Sequence, residues 1–420
     1  MKGLYQASKA YFKKDPKDLK WSESLLLISM LPGPGLYTLY GENFKKTKDR
    51  AKYLLERLYK EKIVSEDKKK DIISEIDDMD DVKAQVPESS FIVDSIWHEI
   101  DQKQAKGLKT IETSLCKNFQ TITEKTIRAI NTEDTKSQVM VLVTKPKTNE
   151  IVALAGSQSF KKDQYNRVYR MRRPVGSLVK PFVYWLAFDH NSDLEKDSTL
   201  IDKPITIEIV GAKNWTPSNY DRKFEDEVEL QAALFRSRNV PTVWLAKENN
   251  LLEPLSKLLK PVSLNQKPVW SWVLGTVELT PMEVSSLYGL FYSDSISKPK
   301  VVSKLNYTLR TKNYSPAIEK HQTELNFSNG YKVKELLKNT VNTDGGTAKT
   351  AFASIPENIR KEISGKTGTT TNGRDSWFAA MVNDYLFLCW QGVEEKGSRL
   401  TGASGAAQIC RDIIWQVPKY

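Results

Sequence analysis

Three short polar stretches of this chain bring hydroxyl, amine and amide groups into spacings that could act on one substrate: Ser177-Leu-Val-Lys180, Ser237-Arg-Asn239 and Lys366-Thr-Gly368. Residues three apart on a helix share a face, so Lys180 can bring its amine beside the Ser177 hydroxyl one turn away. A serine hydroxyl is a weak nucleophile until a neighbour takes its proton, and an amine can take it only when neutral. Lysine titrates near ~10.4 in water, but desolvation and a second cation both lower that value. Lys366 is the candidate second cation: in a shared cleft Lys180 becomes the neutral base, and Lys366 stays charged to hold a carboxylate. The Ser237 hydroxyl can hand a proton to a leaving amine, and the Asn239 amide can fix either Lys180 or a peptide group of the substrate. Gly368 would let a substrate backbone approach closely. Thr367 and Thr369 offer hydroxyls to a carboxylate, and the backbone N–H groups of Ser177 and Thr369 are the candidates for an oxyanion hole.

A lysine-rich chain produces Ser-x-x-Lys by chance, and Ser65, Ser114, Ser159, Ser295 and Ser297 each have a lysine three residues on. Ser263-Leu-Asn265 likewise duplicates the middle stretch. An isolated match of this kind is ordinarily a solvated pair on a helix. Ser177 differs in its setting, because Arg172-Arg-Pro-Val-Gly176 before it and Pro181-Phe-Val-Tyr-Trp-Leu-Ala-Phe188 after it form a turn feeding an apolar helix. Lys-Thr-Gly occurs once, within Ile363-Ser-Gly-Lys-Thr-Gly-Thr369. The three histidines, His98, His190 and His321, stand in no Ser-His or His-x-x-x-His arrangement, so neither a Ser-His-Asp hydrolase nor a zinc site is supported. No metal and no cofactor is expected.

The elements that must carry these groups can be read from apolar patterning. Strands are expected at Gln138 to Thr144, Ile151 to Gly156, Ile363 to Thr369, Ser376 to Val382 and Tyr385 to Gln391, with Asn383-Asp384 as a tight turn in the last pair. Helices are expected after Gly176, around Leu230 to Lys247, and from Ala403 to Trp415. Of the cysteines Cys116, Cys389 and Cys410, no disulfide framework follows, and Cys389 is read as core. This is an α+β domain, an antiparallel sheet flanked by helices with a helical subdomain beside it.

Taken with these stretches, residues 111 to 420 resemble the transpeptidase domain of the class A, bifunctional penicillin-binding proteins, whose fold is shared with the serine β-lactamases. Thr113-Ser-Leu-Cys-Lys-Asn-Phe-Gln120, Val141 to Gly156, Asn166-Arg167, Trp215-Thr-Pro-Ser-Asn-Tyr220, Leu274-Gly-Thr-Val-Glu-Leu-Thr-Pro281 and Thr401-Gly-Ala-Ser-Gly405 carry the likeness further. Cys116 departs from the family pattern, standing where an aspartate is usual. The resemblance implies an acyl-enzyme formed by Ser177 with the penultimate D-alanine of a stem peptide, expulsion of the terminal D-alanine, and transfer to an amine on a neighbouring strand. Lys180, Ser237, Asn239 and Lys366 would be the remaining catalytic residues, and Thr367, Gly368 and Thr369 the substrate-binding ones. It also implies inhibition by β-lactams, which imitate D-alanyl-D-alanine, and cell-wall synthesis proteins as partners.

Residues 1 to 64 resemble only the C-terminal end of the family's glycosyltransferase domain, with the acidic catalytic motif expected upstream of Met1. Glu23 and Glu42 are read as carboxylates on a solvated face rather than catalysts. Residues 65 to 110 include Ser65-Glu-Asp-Lys-Lys-Lys-Asp71 and Asp77-Asp-Met-Asp-Asp81, which read as a charged, solvated helical linker. The 420-residue length fits one complete catalytic domain and a remnant, and a composition 40% apolar or aromatic with ten tryptophans is enough for a packed core. The net charge of +11 comes from 63 basic residues scattered among 52 acids with no nucleic-acid-binding motif, so the surface suits anionic headgroups or wall carboxylates, not nucleic acid. No apolar run nears the ~20 residues that span a bilayer, and no signal peptide is visible. A family member would work at the outer face of the cytoplasmic membrane, in the bacterial cell envelope, so the chain reads as a piece whose membrane tether lies in a missing N-terminal segment.

Two other functions use the same residues: a D,D-carboxypeptidase or β-lactam hydrolase on Ser177, and a non-catalytic scaffold in wall assembly. The intact triple disfavours the scaffold. The flanking class A stretches, with nothing identified to position a deacylating water, disfavour the hydrolase. Glycosyl transfer is not expected: incubated with lipid-linked disaccharide, the purified 420-residue chain should form no glycan polymer, and polymer on a gel would contradict this.

Overall fold

The computed structural model describes residues 4–417 apart from 34–35, 83–89, 106, 131–136, 210, 212, 264–265, 308–310, 314–320, 323–324, 371–372 and 394–399. They divide into two compact units, Met1–Trp97 with Lys161–Asp163, and His98–Phe160 with Gln164–Tyr420. No described helix is long and apolar enough to cross a membrane.

In the first unit, helices Trp21–Ser29, Phe44–Lys60 and Glu66–Asp77 enclose one core that includes Leu25, Leu26, Leu39, Phe44, Leu55, Ile72 and Ile76. The stretch read as a solvated linker from residue 65 is therefore part of this core at its start, because Ile72 and Ile76 lie one turn apart on one face of an otherwise charged helix. Glu23 is buried, not solvated: it accepts from the Lys20 backbone N–H at 2.8 Å and from Lys14 Nζ at 2.7 Å, and so closes the start of its helix. Glu42 is exposed. Ser65 caps the helix that follows it by accepting from the Lys68 N–H, which explains that chance Ser-x-x-Lys match.

The second unit is built on five antiparallel strands, β1 (Ser137–Lys145), β2 (Glu150–Ala155), β3 (Ile363–Thr369), β4 (Asp375–Val382) and β5 (Tyr385–Val393), in the order β3-β4-β5-β1-β2. Sequence patterning places all five within two residues of these bounds. Asn383, at φ 51°, makes the tight turn between β4 and β5. Alternate residues Val139, Val141, Val143, Phe378, Ala380, Phe387 and Cys389 face a core closed by helices Lys117–Arg128 and Ala406–Gln416, the latter contributing Cys410. Burial and the neighbouring Cys389 push the Cys410 thiol well above its ordinary range.

Beside the sheet lies the helix Lys180–His190, with every residue from Lys180 to Phe188 buried and with Asn239–Glu248, Leu252–Leu259 and Phe327–Leu336 packed around it. A helix apolar on all sides belongs in the middle of a cluster, and Pro181 suits its first turn. Ser177 is not within it. The residues Gly176–Val179 form a 3-10 turn, and the α-helix begins at Lys180. The helical stretch expected over Leu230 to Lys247 is two helices, Leu230–Phe235 and Asn239–Glu248, broken by Ser237 at φ 58°.

The serine turn rests directly on β3. Gly176, at φ 55°, lies so near that a Cβ there would sit 2.7 Å from the Thr369 carbonyl oxygen. On Gly368 a Cβ would sit 2.7 Å from the Val175 carbonyl oxygen and 3.0 Å from Leu178 Cγ. The requirement for glycine at 368 is thus close packing of the serine turn on the strand, where the sequence reading had a substrate backbone. Gly368→Ala is expected to lower stability by about 1–3 kcal/mol through overpacking, whereas Gly289→Ala, whose Cβ would meet only Pro146 Cβ at 3.9 Å, should not. Denaturant unfolding compares the two, and an unchanged midpoint for Gly368→Ala would contradict the packing argument.

Candidate active site

Ser177, Asn239 and Thr369 line one cleft of about 1390 Å³, with Trp215, Ser218, Asn219, Tyr220, Thr276 and Thr370 among the other walls. Three elements supply the candidate groups: the 3-10 turn bearing Ser177, the helix break bearing Ser237, and β3 bearing Lys366. Lys180 and Lys366 are both 0% exposed, and Lys180 lies against the cleft-lining Asn239. Burying one ammonium costs several kcal/mol unless it is well hydrogen-bonded, so the polar groups around these two carry most of what the site can do.

Lys180 Nζ donates to the Ser237 carbonyl at 2.7 Å, the Arg238 carbonyl at 3.0 Å and Asn239 Oδ1 at 2.7 Å, with Ser237 Oγ at 3.5 Å. Lys366 Nζ donates to Ser237 Oγ at 2.8 Å and to the Thr367 carbonyl at 2.9 Å. The two amines therefore converge on one hydroxyl. Of the alternatives left open for Asn239, its side-chain oxygen is on Lys180, while its Nδ2 donates to the Ser218 carbonyl at 2.9 Å. Among the described hydrogen bonds none joins Lys180 Nζ to Ser177 Oγ, so the contact expected from their spacing is not made in the open cleft. Such contacts commonly tighten only when substrate is bound.

Burial first, then the Lys366 charge, then Arg238 hold the Lys180 amine well below the ordinary lysine range. The three acceptors around it work the other way, favouring the ammonium. Burial also pushes Lys366 down to about 7. Both amines are thus held below the ordinary lysine range. Lys366 is only marginally charged at neutral pH in the open cleft, and an arriving carboxylate would draw its proton back.

The three threonine-strand residues divide differently from the sequence reading. Thr369 lines the cleft, and its hydroxyl accepts from the Gly402 N–H at 3.0 Å, leaving its own proton free to donate. Thr367 does not line it: its hydroxyl pairs with Thr347 Oγ1 at 2.7 Å, and its side chain backs onto Gly402. Period-two alternation puts Thr367 on the same face of β3 as Thr369, and Gly402 meets both, so what separates Thr367 is its pairing with Thr347. The backbones of Gly176, the residue before Ser177, and Thr369 adjoin, since a Cβ on Gly176 would lie 3.2 Å from the Thr369 nitrogen.

A second set of groups was not found by sequence reasoning. Arg238, between Ser237 and Asn239, is 6% exposed and donates to Asp202 Oδ2 at 2.5 Å and to Asp221 Oδ2 at 2.9 Å. Asp202, 0% exposed, accepts from Asn219 Nδ2 at 2.7 Å, and Asn219 Oδ1 accepts the backbone N–H groups of Asn239 and Val240 at 2.9 and 3.0 Å. This lattice holds the left-handed Ser237 and presents its carbonyl to Lys180. Asn219 lies in the family-like Trp215 to Tyr220 stretch, but Asp202 carries no local signal. The other Ser-x-x-Lys serines lie outside the cleft, Ser114 donating to the Ile151 carbonyl at 2.8 Å. Ser263 is buried, and its companions Leu264 and Asn265 lie outside the described residues. His98 stacks on Tyr169 at 4.8 Å, and His190 Nδ1 meets the Leu186 carbonyl. Among the described residues no cluster of His, Cys, Asp and Glu could hold a metal ion.

Comparison with known proteins gives the family and the fold. Residues 139–414 match the penicillin binding protein transpeptidase domain, and residues 1–59 match the transglycosylase family. Penicillin-binding protein 1B of Vibrio cholerae is 27% identical over 99% of this chain and 55% of its own length; the chain spans about half the length of the curated relatives it matches. Among solved structures, penicillin-binding protein 1A of Haemophilus influenzae superposes with a TM-score of 0.66 at 16% identity, covering 99% of this chain and 82% of that one. Penicillin-binding protein A of M. tuberculosis, solved as a ceftriaxone acyl-enzyme complex, gives 0.57 at 18% identity over 73% and 79%. The fold is that of the penicillin-binding transpeptidases and serine β-lactamases. With more than half its length matched by that domain and a transglycosylase segment ahead of it, the chain belongs to the penicillin-binding protein transpeptidase family, in the class A arrangement.

Proposed function

We propose that the chain is a peptidoglycan D,D-transpeptidase acting through a serine acyl-enzyme on Ser177. The observation that carries this reading is the pair of dry lysines sharing the Ser237 hydroxyl, one of them bonded to Asn239, which lines the same cleft as Ser177. Ser177 Oγ attacks the carbonyl carbon of the penultimate D-alanine and gives its proton to neutral Lys180, which first releases one of its three acceptors. The developing oxyanion accepts from the N–H groups of Ser177 and Thr369. Collapse breaks the peptide C–N bond, and the departing D-alanine amine takes its proton from Lys180 by way of Ser237. An acceptor amine then attacks the ester, its proton returning along the same groups as Ser177 is released.

Lys366 has two parts in this chemistry. With the Thr369 hydroxyl it holds the terminal carboxylate of the donor, and its charge keeps Lys180 neutral. Thr367 braces that strand through Thr347, and Gly368 seats the serine turn on it. β-Lactams, which carry a carboxylate and a strained amide, fit the same positions, and the ceftriaxone acyl-enzyme of the structurally similar M. tuberculosis protein supports this. Stem peptides ending in D-alanyl-D-alanine are the proposed substrates, cell-wall synthesis proteins the proposed partners, and the outer face of the bacterial cytoplasmic membrane the proposed location.

Fluorescent penicillin should label the protein at one equivalent, with tryptic mapping placing the adduct on Ser177. Label on another serine, or turnover fast enough to clear bulk penicillin, would overturn the assignment. The two lysines should fail differently. Acylation should rise with pH as Lys180 loses its proton and fall as Lys366 loses its own. Lys180→Ala should abolish acylation and leave noncovalent binding. Lys366→Ala should weaken binding by about 2–5 kcal/mol, as for truncation of a desolvated charge pair, and move the acid limb to higher pH, because Lys180 regains a higher pKa. Equal losses of binding with an unchanged pH profile would contradict this division.

A further inference from the structure

The cleft is lined by four arginines, Arg172, Arg173, Arg222 and Arg374, against two carboxylates, Glu278 and Asp375. Two of the four are engaged. Arg172 donates to Glu283 Oε1 at 2.6 Å and to the Glu278 carbonyl at 2.7 Å, and Arg173 Nε lies 3.8 Å from Asp375 Oδ1. Asp375 accepts from Thr370 Oγ1 at 2.7 Å and Trp390 Nε1 at 3.0 Å, and none of its described bonds is to Arg374. Among the described residues neither Arg222 nor Arg374 has a hydrogen bond or ion pair from its guanidinium. For Arg374 this is costly, because its Nε is shielded from solvent with no acceptor.

Arg222 is held out on a braced loop. Asn219 and Asp221 tie the loop inward through Asp202 and Arg238, while Tyr220, 83% exposed, and Arg222, at φ 57°, stand out into the cleft between and after them. A guanidinium is the group best shaped to take a carboxylate through two parallel hydrogen bonds. The terminal carboxylate of the donor is already provided for by Lys366 and Thr369, and a cleft of about 1390 Å³ is longer than a dipeptide needs.

We propose that Arg222 and Arg374 form a second carboxylate subsite, which selects acyl-donor peptides bearing a free side-chain carboxylate upstream of D-alanyl-D-alanine. This rests on the transpeptidase reading for the identity of the donor, and not for the existence of the subsite.

The test uses synthetic peptides ending in D-alanyl-D-alanine, with glutamate or glutamine either immediately before that dipeptide or one residue further. For the native chain, the glutamate peptide of one of these pairs should acylate with kcat/KM about tenfold above its glutamine twin, as expected for hydrogen bonds to a charged group. Arg374→Gln should bring that ratio close to unity, and Arg222→Gln should lower it. A merely structural defect would depress both rates and leave their ratio, which counts against the subsite. Equal use of glutamate and glutamine at both positions, or a preference that survives both substitutions, would also overturn it. Calorimetric binding of the same peptides to Ser177→Ala reads the subsite without chemistry. A protein that takes up neither benzylpenicillin nor donor would end the transpeptidase reading, while the calorimetric ratio would still decide on the arginines.

Discussion

Two ammonium groups stripped of water and drawn to one hydroxyl set the terms for everything around them. Lys180 and Lys366 meet at Ser237 Oγ, and neither has a carboxylate among its hydrogen-bond partners. Such a pair is tolerable only if at least one member gives up its proton, and that is also the state a serine nucleophile needs. The surrounding fold can be understood as the means of holding two mutually repelling groups in place. The buried Lys180–His190 helix fixes one, an edge strand of a five-stranded sheet fixes the other, and a broken helix supplies the hydroxyl between them.

The broken helix is the most demanding part. Ser237 stands in the left-handed region, which for a residue other than glycine costs about 1–3 kcal/mol and persists only where neighbours impose it. Those neighbours are the Arg238–Asp202 pair and the Asn219 side chain, which takes both free backbone N–H groups at the start of Asn239–Glu248. The same arginine adds a third positive charge near Lys180. One side chain thus fixes the backbone that presents the acceptors and pulls the amine toward neutrality. The loop that Arg238 anchors through Asp221 also carries Tyr220 and Arg222 to the cleft wall.

Much of this is legible in the amino-acid sequence, and the reason is locality. The five strands show in short apolar runs bounded by turn residues, and the three polar stretches stand out because each holds its chemical groups within four residues. What stays hidden depends on contacts between distant segments. Asp202 lies 36 residues from Arg238, and nothing near it marks it as a partner. The pairing that occupies the Thr367 hydroxyl comes from Thr347, twenty residues earlier in the chain, and the strand's own pattern does not show it. The 3-10 turn at Ser177 and the need for glycine at 368 have one origin, the seating of that turn on the strand. The charged stretch after residue 65 misleads because two isoleucines suffice to bury a helix whose other residues are mostly acids and lysines.

The proposed chemistry turns on the protonation of one amine, which can be read directly. Selective 15N labelling of lysine side chains allows the Lys180 Nζ resonance to be titrated in the free protein and in Lys366→Met. Lys180 should titrate well below the ordinary ~10.4, and its pKa should rise when the second cation is removed. A Lys180 that titrates near the ordinary value, or one whose pKa does not move on loss of Lys366, would contradict a neutral base held by a neighbouring charge.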